Sequence, residues 1–467
     1  MSDPIVTRPR LGQLLGLAWP IVISRSSQVV IGVTDSLLVA PLGEDALAAT
    51  TTGALNSFAF FSLSLGTVFI VGSFASQLMG RGDGAGARRF AMYGLAIALA
   101  SQLLALALLP FLDVMLSPIG VTPPVRELIH GYMSLRLLSV GAAVGLEALG
   151  SYYGGLKNTL LPMAAQVLAM LLNVLLNWVL IRGHWGAPTM GVRGSALAST
   201  IATSIAFVFL AVCFAMQLGT QGTRVKTGPL RASELFRTLR FGLPVGLNFL
   251  VELLAFLAYV NIVVGTLGTA ELAATMAVIQ LNSVAFMPAF ALATAGSIFV
   301  GQAIGASKKD DVPRTVLLTV ATTAGWQGLC GLLYLVAPRF WLGPFVPPEG
   351  ARFLDIAAAL LVMSAAWQLM DGIAMAYAEA LRAAGDTTFS LWARAGIGWF
   401  VFVPGALVTT RLLGYRELAA AVWLIVYLGL LALVMVLRFQ SGRWRTLELV
   451  EPQVDEEPGG DRTATAV

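Results

Sequence analysis

Three acidic residues lie within long apolar stretches of the sequence, where a carboxylate is costly. They are Asp35, Glu252 and Asp371, and the last stands inside "MSAAWQLMDGIAMAYAEA" (363–380). A charged side chain at the centre of a membrane-spanning helix costs about 2.5–3.5 kcal/mol on insertion scales. Acids kept at that cost typically bind protons or small cations, so these three predict ion-coupling chemistry inside a membrane.

Polar residues accompany Asp35 at helical spacing. Gln28 shares its predicted helical face, the fifth apolar run carries Asn173 and Asn177, and the sixth opens with "GSALAST", which contains Ser199. A carboxylate, amides and hydroxyls on separate helices predict either an oxygen shell for a small cation or a hydrogen-bonded carboxyl that takes a proton. The alternative is hydrogen bonding between membrane helices, which explains the amides well and Asp35 poorly.

The second half of the chain carries a different set of polar residues. Glu252 lies on the seventh apolar run and Asp371 on the tenth, where Gln368 is a supporting polar residue. Two facing carboxylates in a low-dielectric interior do not both ionise cheaply, so one can bind a proton near neutral pH. A sodium ion that neutralises the pair is the alternative, with Gln280 and backbone carbonyls as further ligands.

Aromatic and methionine side chains of the second half predict an adaptable substrate pocket, because methionine-rich surfaces repack around varied ligands. The candidates are Tyr259, Phe286, Met287, Phe290, Trp367 and Met375. Contact with lipid or with a neighbouring helix is the commoner role of such residues and remains the alternative. Arg25 and Arg136 also lie inside predicted spans, and we expect each to pair with a carboxylate or carbonyl and not to face an open cleft.

Composition indicates that the surroundings of these residues are a membrane. Of 467 residues, 57% are hydrophobic and 12% are charged, whereas soluble domains contain about 25% charged residues. Apolar runs long enough to cross a bilayer recur along nearly the whole chain. Apart from closed β-barrels, only helices can span lipid, because each backbone polar group must be hydrogen-bonded within the protein. The sequence therefore predicts an all-α polytopic membrane protein with about twelve transmembrane helices.

The distribution of charge predicts the topology. Basic residues gather in the segments 80–89, 223–240, 305–314 and 438–445, and the loops between them are poor in Lys and Arg. This alternation follows the positive-inside rule, so the basic loops and both termini are expected in the cytoplasm and the protein in the inner membrane. The net charge of +4 therefore reflects topology, and we expect no nucleic-acid partner.

An internal repeat divides the chain into two halves. The segment "LAWPIVISRSSQ" (17–28) matches "FGLPVGLNFLVE" (241–252), "SQLMGRGDGAGARR" (76–89) matches "GQAIGASKKDDVPR" (301–314), and "GGLKNT" (154–159) faintly matches "RAAGDT" (382–387). The repeat predicts two six-helix lobes, 11–222 and 241–440, related by a pseudo-twofold axis along the membrane normal. We expect a cytoplasmic linker at 223–240 and a disordered cytoplasmic tail at 441–467. Lobes related in this way can rock against each other and give alternating access.

Several motifs taken in order resemble the MATE (multidrug and toxic compound extrusion) transporters. They are "TDSLLVAPLGEDALAA", "LNVLLNWVLIRGHWGAPTMGVRGSALAST" and "WQLMDG…LRAAGDT". The resemblance implies an antiporter that expels organic, mostly cationic compounds in exchange for inward sodium or protons and needs no other cofactor. The pair Glu252 and Asp371 resembles the NorM-type branch, which implies a cation site for H⁺ or Na⁺ in the second lobe. Asp35, with Asn173 and Asn177, is the implied first-lobe site.

A flippase of lipid-linked saccharide precursors is the alternative function, since such proteins share the repeat architecture. Arg25 and Arg136 would favour it if they faced the cleft, because an anionic pyrophosphate needs fixed positive charge. A membrane-embedded enzyme is not expected, since the two histidines and two cysteines form no catalytic or zinc-binding pattern. The expected partners are a small organic substrate and membrane lipids, with the chain acting as a monomer.

Overall fold

The computed structural model describes residues 9–117, 120–220, 225–345, 351–412 and 417–451. Within these ranges it contains eleven helices long and apolar enough to cross a membrane, and one bent pair that forms a twelfth span. In chain order they are α1 (Leu11–Leu42), α2 (Glu44–Gly80), α3 (Gly84–Leu116), α4 (Pro123–Leu137 with Val140–Gly155), α5 (Leu160–Arg182), α6 (Gly191–Ala215), α7 (Ala232–Thr266), α8 (Thr269–Gly305), α9 (Lys309–Val336), α10 (Arg352–Ala384), α11 (Thr387–Arg411) and α12 (Leu418–Gln440). The predicted all-α fold with twelve spans is confirmed.

Helix α4 bends by 48° between its two halves. At the bend, the Ser139 hydroxyl donates to the Arg136 carbonyl at 3.0 Å, and the regular backbone ladder is interrupted. The bend places Arg136 and Tyr132 beside α1 and α6, at the height of the polar residues of the first lobe. It therefore contributes directly to the candidate site.

Each lobe has its own apolar core, and the lobes meet mainly along α1, α2, α7 and α8. Helix α1 packs on α8 through Leu14, Leu17 and Ala18 against Leu292 and Ile298. Helix α7 packs on α2 at the position related by the repeat, where a Cβ atom on Gly66 would overlap the backbone of Gly246. The pairs α1–α8 and α7–α2 are equivalent under the internal repeat, as expected when two related lobes face each other.

Residues 441–451 are ordered, although the sequence predicts a disordered tail from residue 441. Residues Arg443–Thr446 form a short 3₁₀-helix, and Trp444, Leu449 and Val450 are buried. Arg237 of α7 donates to the Leu449 carbonyl at 2.6 Å, and Arg81 donates to the Glu451 carbonyl at 2.6 Å. The prediction of disorder is wrong for 441–451, because three apolar residues of this segment pack into the apolar cores. Residues 452–467 of the tail and 221–224, where the first lobe was predicted to end and the linker to begin, lie outside the described residues.

Candidate functional site

Asp35 of α1 lies in a buried polar cluster with side chains from α5 and α6. The Nδ2 atom of Asn177 donates to Asp35 Oδ1 at 2.5 Å, and the Ser199 hydroxyl donates to Oδ2 at 3.0 Å. Asn173 joins the two donors, since it accepts from Asn177 at 3.1 Å and donates to Ser199 at 2.9 Å. The structure thus brings these four residues together in one network. Their role in ion coupling remains a prediction.

A cavity of about 530 Å³ lies between this cluster and the second lobe, and we call it the central cavity. Asp35 and Gln28 line its first-lobe wall, where the Gln28 amide oxygen accepts from Arg25 at 3.5 Å and does not join the Asp35 network. The opposite wall consists of side chains from α7 and α8, namely Phe249, Phe286, Met287 and Phe290. A polar, charged wall facing an aromatic wall can hold an amphipathic organic molecule, including one that carries positive charge.

A smaller pocket of about 170 Å³ lies inside the second lobe and contains both predicted carboxylates. Glu252 reaches it from α7 and Asp371 from α10, and Arg394 of α11 stands beside them. A nitrogen atom of the Arg394 guanidinium donates to Glu252 Oε1 at 2.6 Å. We call this space the second-lobe pocket. Phe249, Phe286 and Phe290 line both it and the central cavity, so a thin aromatic wall separates the two.

Arg394 is a charged residue of the second-lobe pocket that the sequence did not predict. It stands inside the apolar span Thr387–Arg411, and an arginine in such a run is the same signal that singled out Arg25 and Arg136. Its partner Glu252 lies 142 residues earlier in the chain. No local spacing could connect the two, because the contact exists only once α7 and α11 pack together.

Three of the six residues predicted for the substrate pocket line the central cavity: Phe286, Met287 and Phe290. Met375 lines the second-lobe pocket instead. For Tyr259 and Trp367 the prediction is wrong, since both are buried in the apolar core of the second lobe. Tyr259 lies about 10 Å along α7 from Glu252, where it packs against Phe402 with ring centroids 4.9 Å apart.

Gln280 and Gln368 were predicted as supporting ligands of the Glu252–Asp371 site, and neither lines the second-lobe pocket. Gln280 is exposed, and it precedes the pocket-lining Phe286 by six residues, about 240° around the helix. The Gln368 amide nitrogen donates to Asn282 Oδ1 at 2.5 Å and ties α10 to α8. The structure therefore places neither side chain at the pocket: Gln280 leaves α8 on another face, and Gln368 is engaged with Asn282.

Arg25 and Arg136 both line the central cavity, so the expectation that neither faces it is wrong. Arg25 forms a double contact with Glu147, at 3.1 Å and 2.8 Å, as expected of an intramembrane arginine. Its guanidinium carbon also lies 5.3 Å from the Phe69 ring centroid and 5.4 Å from that of Phe290. Arg136 donates weakly to the Ser139 hydroxyl at 3.5 Å and lies within electrostatic reach of Asp35.

The lobes are closed against each other at the end that carries the basic loops. The Gln77 amide nitrogen donates to the Ala383 carbonyl at 2.7 Å, and the Gln302 amide nitrogen donates to the Gly155 carbonyl at 3.1 Å. These two bonds are related by the repeat, because Gln77 aligns with Gln302 and Gly155 aligns with Ala383. Each carbonyl lies in the last turn of a helix, where it lacks a partner within that helix. Each glutamine therefore caps a helix of the opposite lobe.

Comparisons with known proteins agree with this architecture. A family model described as MatE matches residues 20–179 and 244–398, one block in each lobe. A "Probable multidrug resistance protein NorM" of Burkholderia pseudomallei is 30% identical over 404 residues, which cover 83% of this chain and 86% of that protein. Another of the same name from Agrobacterium fabrum is 29% identical over 377 residues, 80% of this chain and 81% of that protein.

Solved structures share the fold. One described as "Crystal structure of MATE in the straight conformation" superposes with a TM-score of 0.82 at 19% identity and covers 93% of this chain and 97% of its own. Another, described as "Outward-facing conformation of a multidrug resistance MATE family transporter of the MOP superfamily", gives 0.81 at 18% identity, over 93% and 96%.

The fold, the internal repeat and the central cavity define a two-lobed polytopic membrane transporter. The chain belongs to the MatE family, and the resemblance found in its motifs is confirmed. It is a transporter and not an enzyme.

Proposed function

We propose that this protein is a secondary active antiporter of the inner membrane, which exports amphipathic, mostly cationic organic compounds in exchange for inward H⁺ or Na⁺. The observation that carries the proposal is the charge balance of its internal spaces. The central cavity, the second-lobe pocket and a small pocket between the lobes are lined by five carboxylates and four arginines: Asp35, Glu147, Glu252, Asp371 and Glu379, with Arg25, Arg136, Arg382 and Arg394. The central cavity alone is balanced by two carboxylates and two arginines. The one formal negative charge left over lies in the second-lobe pocket, where it favours binding of a coupling cation.

The flippase alternative needs an excess of positive charge for a pyrophosphate group. Arg25 and Arg136 do line the central cavity, but Glu147 neutralises the first and Asp35 lies opposite the second. A lipid-linked pyrophosphate would have to displace these contacts. The aromatic wall of Phe286 and Phe290 instead suits a planar organic cation.

The second-lobe acids are the proposed coupling groups. Export coupled to an ion requires a group that binds the ion from outside and releases it inside, and Glu252 and Asp371 border the central cavity across the shared aromatic wall. Substrate and ion can therefore influence each other through a common boundary. Asp35 and its network are proposed to serve the same switch from the first lobe.

The test is uphill export of a cationic dye by the purified protein in liposomes. Glu252→Gln and Asp371→Asn keep size and hydrogen bonding but remove the charge, and we expect both variants to lose export against a gradient. Asp310→Asn is the matched control, because that acid lies at the start of α9 and its side chain is 95% exposed. Export at the wild-type rate by both pocket variants would overturn the proposal, and preferential movement of a lipid pyrophosphate would support the flippase.

We further propose that the basic loops and both termini are cytoplasmic, and that lobe 11–222, linker 223–240 and lobe 241–440 act as one monomer surrounded by lipid. The large apolar side chains exposed on the spans, such as Leu99, Leu103 and Leu317, support contact with lipid. A cysteine placed in the linker should react only from the cytoplasmic side. A detergent-corrected mass near 49.2 kDa is expected, and a dimer mass would contradict the monomer.

A further inference from the structure

Arg394 changes what the second-lobe pocket can bind. Its guanidinium lies 2.6 Å from Glu252 Oε1, with 16% of the Arg394 side chain and 41% of the Glu252 side chain exposed. Asp371, across the same pocket, makes no hydrogen bond or ion pair to any side chain among the described residues, and it lies within electrostatic reach of both. Of the two carboxylates, Glu252 therefore already has a cation and Asp371 has none.

The other charged and titratable groups around the pocket leave this assignment unchanged. Glu379 and Arg382, both from α10, pair with each other, and Arg382 also donates to the Phe69 carbonyl at 3.0 Å. Tyr427 of α12 lies within electrostatic reach of Glu252, Arg394 and Asp371. With the two ion pairs neutral, Asp371 carries the single uncompensated charge of the pocket.

We propose that Arg394 determines the coupling ion: it occupies the side of Glu252 that a bound sodium ion would need, and so leaves Asp371 to carry a proton. This inference rests on the antiport proposed above. A sodium ion needs several oxygen ligands and compensating negative charge, and here it would meet one free carboxylate and a fixed guanidinium that repels it. A proton satisfies Asp371 alone. It forms an O–H bond on one carboxylate oxygen on the outside and returns to water on the cytoplasmic side.

The test is equilibrium binding of ²²Na⁺ to the purified full-length protein in lipid nanodiscs at neutral pH, without any drug. We expect no saturable binding by the wild type or by Arg394→Lys, which keeps the charge. Arg394→Gln should gain saturable ²²Na⁺ binding, at a sodium concentration at least about tenfold below the highest one at which the wild type shows none, because the repulsion is gone and Glu252 is free. The added substitution Asp371→Asn should abolish that binding. Arg411→Gln is the matched control, since Arg411 lies on the same helix but is exposed and donates to the Ile262 carbonyl at 3.3 Å.

Two results would overturn the inference. One is saturable ²²Na⁺ binding by the wild type that Asp371→Asn removes, a measurement that needs no Arg394 variant to fold. The other is a folded Arg394→Gln protein that binds sodium no better than the wild type. Because no substrate is present, loss of drug export cannot produce either result, so failure of this inference and failure of the antiport proposal are distinguishable.

Discussion

Gln77 and Gln302 each cap a helix of the opposite lobe, and we expect these two hydrogen bonds to favour the state in which the lobes are closed at the basic loops. Gln77 and Gln302 are buried, and each donates one hydrogen bond to a carbonyl of the opposite lobe. A hydrogen bond of this kind contributes about 0.5–1.5 kcal/mol net. Substituting leucine at one position should therefore raise the population of the opposite state about 2- to 12-fold, and at both positions about 5- to 150-fold.

The assay is labelling of a single cysteine at position 294 by a membrane-impermeant maleimide, applied from the side of the basic loops. Thr294 lines the small pocket between the lobes and its hydroxyl has no hydrogen-bond partner among the described residues, so Thr294→Cys breaks no side-chain hydrogen bond. Cys213 and Cys330 are first replaced by serine. The labelling rate should rise by the factors given above.

Gln102→Leu is the matched control for this assay. Its amide bonds the Leu137 carbonyl at 3.1 Å and the Gly141 nitrogen at 2.8 Å, all within the first lobe. Loss of these bonds should weaken that lobe without opening the interface. Labelling of the double glutamine variant at the wild-type rate, or an equal acceleration by Gln102→Leu, would refute the proposed role of the two bonds.

Three further outcomes follow from the same contacts. Gly305→Ala should destabilise the protein by about 1–3 kcal/mol and lower its melting temperature, because the added Cβ atom would overlap the backbone of the opposite lobe. Gly16→Ala is the control, since open space surrounds that position. Equal melting temperatures of the two variants would contradict this. Asp35→Asn should slow dye export and lower the free energy of unfolding by about 1–3 kcal/mol, since two groups donate hydrogen bonds to that carboxylate. Export and a melting temperature equal to those of the wild type would argue against its role. Arg237→Gln should speed amide hydrogen exchange in 441–451, since its side chain holds that backbone; unchanged exchange would show that the segment is held by burial alone.

The spans and the repeat could be predicted from sequence because both depend on local patterns. An apolar run of bilayer length predicts a membrane-spanning helix. Segments that match each other at a constant distance along the chain predict the number of lobes. The network around Asp35 could also be predicted from sequence. Asn173 and Asn177 lie one helical turn apart, and hydrogen bonding between helices does not explain an acid such as Asp35 inside an apolar span.

What sequence could not predict are contacts made by packing. Arg394 meets Glu252, and Gln77 meets Ala383, only through tertiary structure, since the partners are 142 and 306 positions apart in the sequence. Trp367 precedes Asp371 by one turn, yet it is covered by neighbouring helices of its own lobe. Helical spacing assigns a residue to a face, but the packing of adjacent helices decides whether that face meets a cavity, a core or lipid.

The most direct test of the antiport proposal is dye export by liposomes containing the purified protein, with a proton gradient or a sodium gradient imposed in turn. The wild type should export the dye uphill under the proton gradient and not under sodium alone, and Asp371→Asn should show only downhill movement. Uphill export by Asp371→Asn, or export by the wild type that neither gradient drives, would contradict the antiport proposal.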